Sequence, residues 1–415
     1  MGVNPSKYDK TPDYFLLLIW IYYICSFKCS RIVRKKILTT LLLPLIALSL
    51  EAQEIQNIQT DSPTSPETVE DGVIFRLFAD YASQVTLTGS WQVPGAKPIR
   101  MNKDRSGLWE VKVSNIPADM HSYHYVVDGV RMTDPNNPVQ QHDGSVYESV
   151  FILDGPRTGN YREAAGHHGS VSYEWYHSRI FDCNRRLAVY TPHGYNPNNT
   201  NKKYPVLYLL HGEGGDEESW ISAGRAVQIF DNLIQSGRAV PMIVVMPNCD
   251  PKLQAAKSVR LPEVDYSYGS SSFVSSLINE IVPYIESNYR VDSRKVSRAI
   301  AGLGQGGEQA FAAAALYPDR FDWYGFMCSG VEDYEGLRSD LLRIKKAGFK
   351  LIWEGSGTYD TVSYDKTKFL YESLESLWMD NTLYVNNGAY DWKNWRLHLA
   401  NFSSMVFRFY NDGRK

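Results

Sequence analysis

Residues 297–321 read SRAIAGLGQGGEQAFAAAALYPDRF. An apolar run ends in a glycine-rich turn and passes into an alanine-rich helix, the pattern of a strand-to-helix elbow. In acyl transfer by covalent catalysis such an elbow, G-x-S-x-G, presents a serine, and an acid and a histidine follow it along the chain. Here the serine position is Gly304. Asp360 follows in GSGTYD (355–360) and Tyr390 in NGAYDWKNW (387–395), a loop without a histidine. Glycine has no side-chain oxygen, so no acyl-enzyme can form at position 304. Tyrosine, with a reference pKa of about 10, is a poor general base near neutrality. In a measured protease triad, loss of the nucleophile or the histidine alone costs about 10⁶ in turnover. Glycine suits the turn itself, because the positive φ of an elbow strains any other residue by roughly 1–3 kcal/mol.

The elements that must position these residues alternate. RRLAVYTP, YPVLYLLHG, MIVVMPN, RAIAGLG, YGFMCSG, KLIWEGSG and TLYVNNG read as strands. GRAVQIFDNLIQSG, SSFVSSLINEIVPYIESNY, LRSDLLRIKKAG, KFLYESLESL and NWRLHLANFSSMVFRF read as helices. Apolar strands alternating with helices predict an α/β domain over 180–411, with a mainly parallel sheet covered on both faces. Ahead of it, GVIFRLFA, QVTLTGSW, GLWEVKVSNI, HSYHYVVDG and YESVFIL are short strands separated by Gly, Pro, Asn and Asp turns. That spacing predicts a small all-β immunoglobulin-like sandwich over 68–156. Residues 157–179, which contain GHHGSV, read as a connector, and its His167, His168 and His177 read as solvated loop histidines rather than metal ligands.

The sandwich resembles the early-set, family-48-type carbohydrate-binding modules in its FRLFA opening, GSW (89–91), GLWEV (107–111) and YHYVVDGVRMTDPNNP (123–138). The resemblance implies that a glycan could lie on Trp91 or Trp109; the alternative places both rings in the core or between domains. The second domain resembles the α/β-hydrolases of carbohydrate esterase family 1, the esterase-D-like group that includes feruloyl and acetyl-xylan esterases. It does so in YPVLYLLHGEGGDEESW (204–220), the elbow, GSGTYD and NGAYDWKNWRLHLANF (387–402). The resemblance implies a triad at 304, 360 and 390, and an oxyanion hole from the amides of Glu213 and Gln305. It also makes His211 structural. The family pattern departs at Gly304 and Tyr390, and keeps Asp360. His398 on the final helix is the one histidine after the acid loop, and Ser329 ends the strand after the elbow helix; neither is placed to rescue the chemistry. Water activated by Asp360 or Glu213 is a further route. Trp220, Tyr359 and Trp392 are expected near the cleft mouth, where aromatic rings pack well against sugar faces.

The N-terminal segment reads as an export signal: Arg31, Arg34, Lys35 and Lys36 precede an apolar run from Ile37 to Leu50 and an exit near Ala52. The leader spans residues 1–53, with translation expected to begin near Val33, and EIQNIQTDSPTSPE (54–67) reads as a linker. The protein is thus expected in the periplasm or outside the cell, free of the membrane once the signal is removed. The net charge is −3. It becomes more negative without residues 1–53, which carry seven Lys/Arg against three Asp/Glu. An acidic chain without a basic tract is a poor nucleic-acid binder. Cys183, Cys249 and Cys328 remain after the leader, odd in number and widely spaced, which indicates neither a disulfide framework nor a zinc site. No cofactor is implied, and the sequence leaves the oligomeric state open. The composite expectation is an esterase fold stripped of its Ser and His, binding a plant-type glycan or an ester-decorated oligosaccharide. The rival expectations are a scaffold for other hydrolases and an active carbohydrate esterase using unusual residues.

Overall fold

A computed structural model describes residues 62–93, 95–143, 146–256 and 269–408. The leader, the signal and the start near Val33 lie outside them, as does most of the linker. The last linker residues are part of the sandwich. Ser65 is buried and donates its hydroxyl hydrogen to Asp134 (2.6 Å), and strand β1 (Glu67–Val69) begins at once.

Short strands form two antiparallel sheets. One runs in the order β1, β2 (Gly72–Phe78), β6 (Leu108–Val113), β5 (Asn102–Lys103). The other runs β4 (Ile99–Arg100), β3 (Val85–Gly89), β7 (Met120–Val127), β10 (Val146–Ile152), β9 (Gln140–Asp143), with β8 (Val130–Met132) also on β7. In GVIFRLF, Val73, Phe75 and Leu77 point inward between less buried neighbours, the two-residue period of a sheet with one buried face. Trp109 belongs to that core, 6% exposed, its indole N–H donating to Ala79 O (2.9 Å). Trp91 stacks on Phe75 at 5.4 Å. Both rings are packing residues.

An eight-stranded sheet follows in the order β11 (Ser170–Ser178), β12 (Cys183–Thr191), β14 (Ile243–Pro247), β13 (Val206–Leu210), β15 (Arg298–Leu303), β16 (Trp323–Met327), β17 (Leu351–Gly357), β18 (Thr382–Asn386). The pairs from β14 to β18 are parallel, and β11–β12 and β12–β14 are antiparallel. Interior strands such as VLYLL, IVVMP and WYGFM are buried at every position, because helices cover both faces. On one face pack α3 (Ser270–Ser276), continued through a wider turn into α4 (Val282–Asn288), then α5 (Gln305–Leu316), α6 (Leu337–Ala347) and α7 (Tyr364–Ser376). On the other pack α1 (Ser219–Ser222), α2 (Ala226–Gln235) and α8 (Trp392–Met405). The expected connector is therefore shorter than the sequence suggested: SVSYEWYHS is the edge strand β11, with exposed His177 on it rather than in a loop. His168 lies 3.1 Å from the Asp231 carboxylate, and His167 stacks on His193 at 4.1 Å.

The sandwich is anchored on the α8 face. Met120 and Val150 share a core with Trp220, Phe230 and Trp395. Arg396 of α8 is buried between the domains, donating to Ala223 O (2.8 Å), lying 3.5 Å from Asp119 and stacking over Tyr161. Lys393 donates to Ser90 O at 2.8 Å.

Candidate functional site

The site lies where the parallel strands end. At the close of β15, Gly304 has φ 52° and ψ −118°, a conformation that favours glycine. The β13 loop runs hard against this turn: a Cβ on Gly306 would stand 2.3 Å from His211 O. That close approach brings the Glu213 loop beside the first turn of α5. Gln305 N–H and Glu213 N–H have no hydrogen-bond acceptor among the described residues, as donors reserved for a ligand would require. His211 is structural, as expected. It is buried, accepts from Cys249 N–H at Nε2 (2.8 Å) and donates from Nδ1 to Gly212 O (2.8 Å), which fixes the neutral tautomer.

The space beside Gly304 is filled. A Cβ built there would meet the Tyr390 hydroxyl oxygen at 2.3 Å. The phenol thus reaches into the volume a nucleophile's side chain would claim, and the two changes are sterically coupled. The Tyr390 ring is held edge-on to Trp395 at 5.0 Å. Its loop is fixed by Asn394, which donates to Ala389 O (3.0 Å), and by Asp391, which caps α8 by accepting from Asn394 N–H (2.9 Å). Burial first, then the charges of Cys328, Asp360, Glu308 and Glu213, push Tyr390 up to about 12. The phenol stays protonated across the neutral range.

Asp360, 2% exposed, lies at the end of the β17 loop. It accepts from Val362 N–H (2.9 Å), Ser363 N–H (2.8 Å), Ser356 Oγ (3.1 Å) and the Ser363 hydroxyl. Burial works to raise its pKa, but these hydrogen bonds outweigh it and hold the carboxylate below its usual range. Beyond these contacts within residues 356–363, Cys328 at the end of the neighbouring strand also stands beside the carboxylate.

His398 does not reach the elbow. It is fully buried, with Nδ1 3.7 Å from Cys328 Sγ and its ring against Trp353 and Tyr384. Burial pushes it down to about 3. Cys328, at φ 43°, is buried beside it, and burial pushes its thiol well up, so it is no thiolate nucleophile. Ser329 Oγ is buried against Gly307.

The expected aromatic mouth separates into distinct parts. Tyr359 is 70% exposed beside Asp360. Trp392 is half-buried, edge-on to Trp220 (5.4 Å) and Trp395 (4.9 Å). Trp220 is a correction: at 1% exposed it donates from its indole to Leu210 O (2.9 Å), because the short helix α1 turns it into the core. The sequence reading missed two neighbours. Asn394 had no signal beyond its place in the histidine loop. A groove of about 650 Å³ flanks α5, lined by Glu308, Phe311, Val331, Tyr334 and Lys366.

Comparisons with known proteins match this fold. The model of the Esterase family matches residues 178–402, and that of carbohydrate-binding module 48, described as an isoamylase N-terminal domain, matches 63–152. An endo-1,4-beta-xylanase/feruloyl esterase of Xylanibacter ruminicola is 29% identical over 319 residues, 68% of this chain and 42% of that protein. The chain thus spans less than half the length of this curated relative. Among solved structures, a CE1 ferulic acid esterase from Anaeromyces mucronatus aligns with TM-score 0.52 and 23% identity, over 62% of this chain and 97% of that one. The enterobactin esterase of Shigella flexneri aligns with TM-score 0.58 and 14% identity, over 83% and 96%. At these identities the two structures establish a shared fold.

Proposed function

We propose a function from one premise, that the chain belongs to the Esterase family: it binds an ester-decorated plant glycan in the family's cleft without hydrolysing it. The observation that carries this reading is Gly304 at the elbow with the Tyr390 hydroxyl in the adjoining space. The position has no oxygen to attack an ester, and the residue beside it holds its proton at neutral pH. Binding is supported by two unspent amides beside the elbow and by a solvent-facing Tyr359. A feruloyl ester on a xylan-type backbone suits this cleft. The naming of the Xylanibacter relative for xylanase and feruloyl esterase activity, and the module-48 sandwich, support that class of ligand. Export to the periplasm or beyond belongs to the same proposal, supported by the basic and apolar run at 31–50.

The test is hydrolysis of an aryl acetate and of methyl ferulate by the mature chain, beside Gly304→Ser/Tyr390→His. A silent wild type with an active double variant is the expected result. Enzyme-like turnover by the wild type, lost in Asp360→Asn, would overturn the reading.

A further inference from the structure

Away from the elbow, the edge strand β11 turns two large rings outward. Tyr173 is 44% exposed and Trp175 54%. They alternate on one strand, so they share a face and stand roughly 7 Å apart. Their partners in register are Ala188 and Arg186 of β12, and Ala188 packs into the core on the sandwich side of the sheet. Large aromatics on an edge are an aggregation liability unless they serve a contact.

The rings are braced. The Arg186 guanidinium lies over Tyr173 (4.9 Å) and Trp175 (5.8 Å). Its position is set from behind by Glu217, which is buried, and by Glu218 at 2.8 Å. Asp216, the next residue back, lies 3.4 Å from His142 of the sandwich, whose ring packs on half-exposed Tyr147 at 5.3 Å. Aromatic faces, fixed charged groups between them and a span across the domain boundary are the elements that hold a pyranose chain: rings take the C–H faces, and guanidinium and carboxylates take the hydroxyls. The strip also lies at the functional end of the sheet. Trp175 is level with Arg186, whose carbonyl accepts from Asn248 N–H just past the end of β14. Four strand spacings, about 19 Å, separate β11 from the elbow strand β15.

We propose that Tyr173 and Trp175, extended by Tyr147, form a second glycan-binding strip that holds a neutral polysaccharide backbone while a decorated unit occupies the cleft. The strip takes its ligand class from the glycan reading of the cleft, and it needs several sugars where the cleft needs one ester-bearing fragment. A neutral backbone fits because Arg186 is already paired with Glu217 and Glu218, two carboxylates to one guanidinium, which leaves no spare positive charge to recruit an anion.

Calorimetry on the mature chain separates the two sites, with soluble arabinoxylan as the long probe and a feruloylated arabinoxylo-trisaccharide as the short one. Trp175→Ala should weaken arabinoxylan binding about tenfold, the worth of one well-packed ring, and Trp175→Phe should restore most of it. Neither change should move the affinity for the trisaccharide or the melting temperature. Unchanged arabinoxylan binding in Trp175→Ala overturns the strip and leaves the cleft reading standing. Arabinoxylan binding that depends on Trp175, with no affinity for the trisaccharide, supports the strip and sinks the cleft reading. Binding of neither probe by wild type overturns both. Sedimentation showing that Trp175→Ala only dissociates a dimer would assign the rings to a second copy of the chain and overturn the strip.

Discussion

The elbow after β15 and the acid loop after β17 stand two strands apart in one sheet. They differ in what holds their residues in place. Asp360 receives two amide and two hydroxyl hydrogen bonds from its own loop and would be required there if no histidine had ever faced it. The elbow needs only a residue that tolerates φ 52° and ψ −118°, and glycine meets that need with less strain than serine. A retained acid is therefore weak evidence for a retained reaction, because its loop retains it. A glycine at the elbow is equally weak evidence of a damaged fold. It fits the turn with little strain, and the neighbouring phenol fills the space.

The most severe test of this contrast restores chemistry at the elbow. Gly304→Ser alone should stay inactive, since the new Cβ meets the Tyr390 hydroxyl and no imidazole is present. Gly304→Ser/Tyr390→His should gain of order 10³-fold or more on methyl ferulate, a part of what a full triad is worth. Activity in the single variant would show that the phenol neither blocks the site nor fails as a base, and the steric coupling would be lost.

Next in size is the acid loop. Asp360→Ala leaves the Val362 and Ser363 amides and two hydroxyls without their acceptor, and should cost about 3 kcal/mol in urea unfolding. Because the folded carboxylate is held below its usual range, its contribution is present above the unfolded pKa and fades as pH falls through the folded value. The wild-type advantage over Asp360→Ala should therefore shrink under acid. An unchanged midpoint at pH 7 would mean that the loop does not need its acid.

The elbow's own strain is smaller. Gly304→Ser should destabilise by about 2 kcal/mol, from backbone conformation and overpacking together. Adding Tyr390→Phe removes the clashing oxygen and should recover the overpacking share, near half. A double-mutant cycle in thermal melts reads this coupling. Strict additivity would separate the two positions.

Much of this architecture was legible because its parallel strands are short apolar runs, Val206–Leu210, Ile243–Pro247 and Trp323–Met327, between glycine-bounded helices. Gly304, Asp360 and Tyr390 were singled out from the glycine pattern of the turn and from the two loops that follow it, and the structure brings the Tyr390 hydroxyl into the space beside Gly304. What escaped depended on side-chain direction. SVSYEWYHS reads as a connector because an edge strand with polar residues and exposed rings lacks an apolar run. Trp220 reads as a mouth residue because its loop is at the mouth, but one turn of helix aims its indole at Leu210 O. The meeting of the Tyr390 hydroxyl with the space beside Gly304 joins two distant loops, which no local pattern records.

A second carboxylate, on β17 itself, sharpens the contrast further. Glu354 lies six residues before Asp360, fully buried, with neither oxygen hydrogen-bonded among the described residues. Burial, with Glu375 adding to it, pushes it up to about 8 against the opposing pull of its own backbone amide. The sign is opposite to that of Asp360. Below the unfolded carboxylate pKa both states hold the proton. From there to about pH 8 the folded state keeps a proton that the unfolded chain releases, so stability falls as pH rises, and the penalty is complete above pH 8. Glu354→Gln removes the titration, so its stability relative to wild type should improve steadily from pH 5 to pH 8, by about 3 kcal/mol in all. A difference flat in pH would mean that the folded protein already satisfies this carboxylate. The acid of the strand and the acid of the loop after it would then no longer stand for opposite solutions, one held by its loop and the other kept neutral by the core.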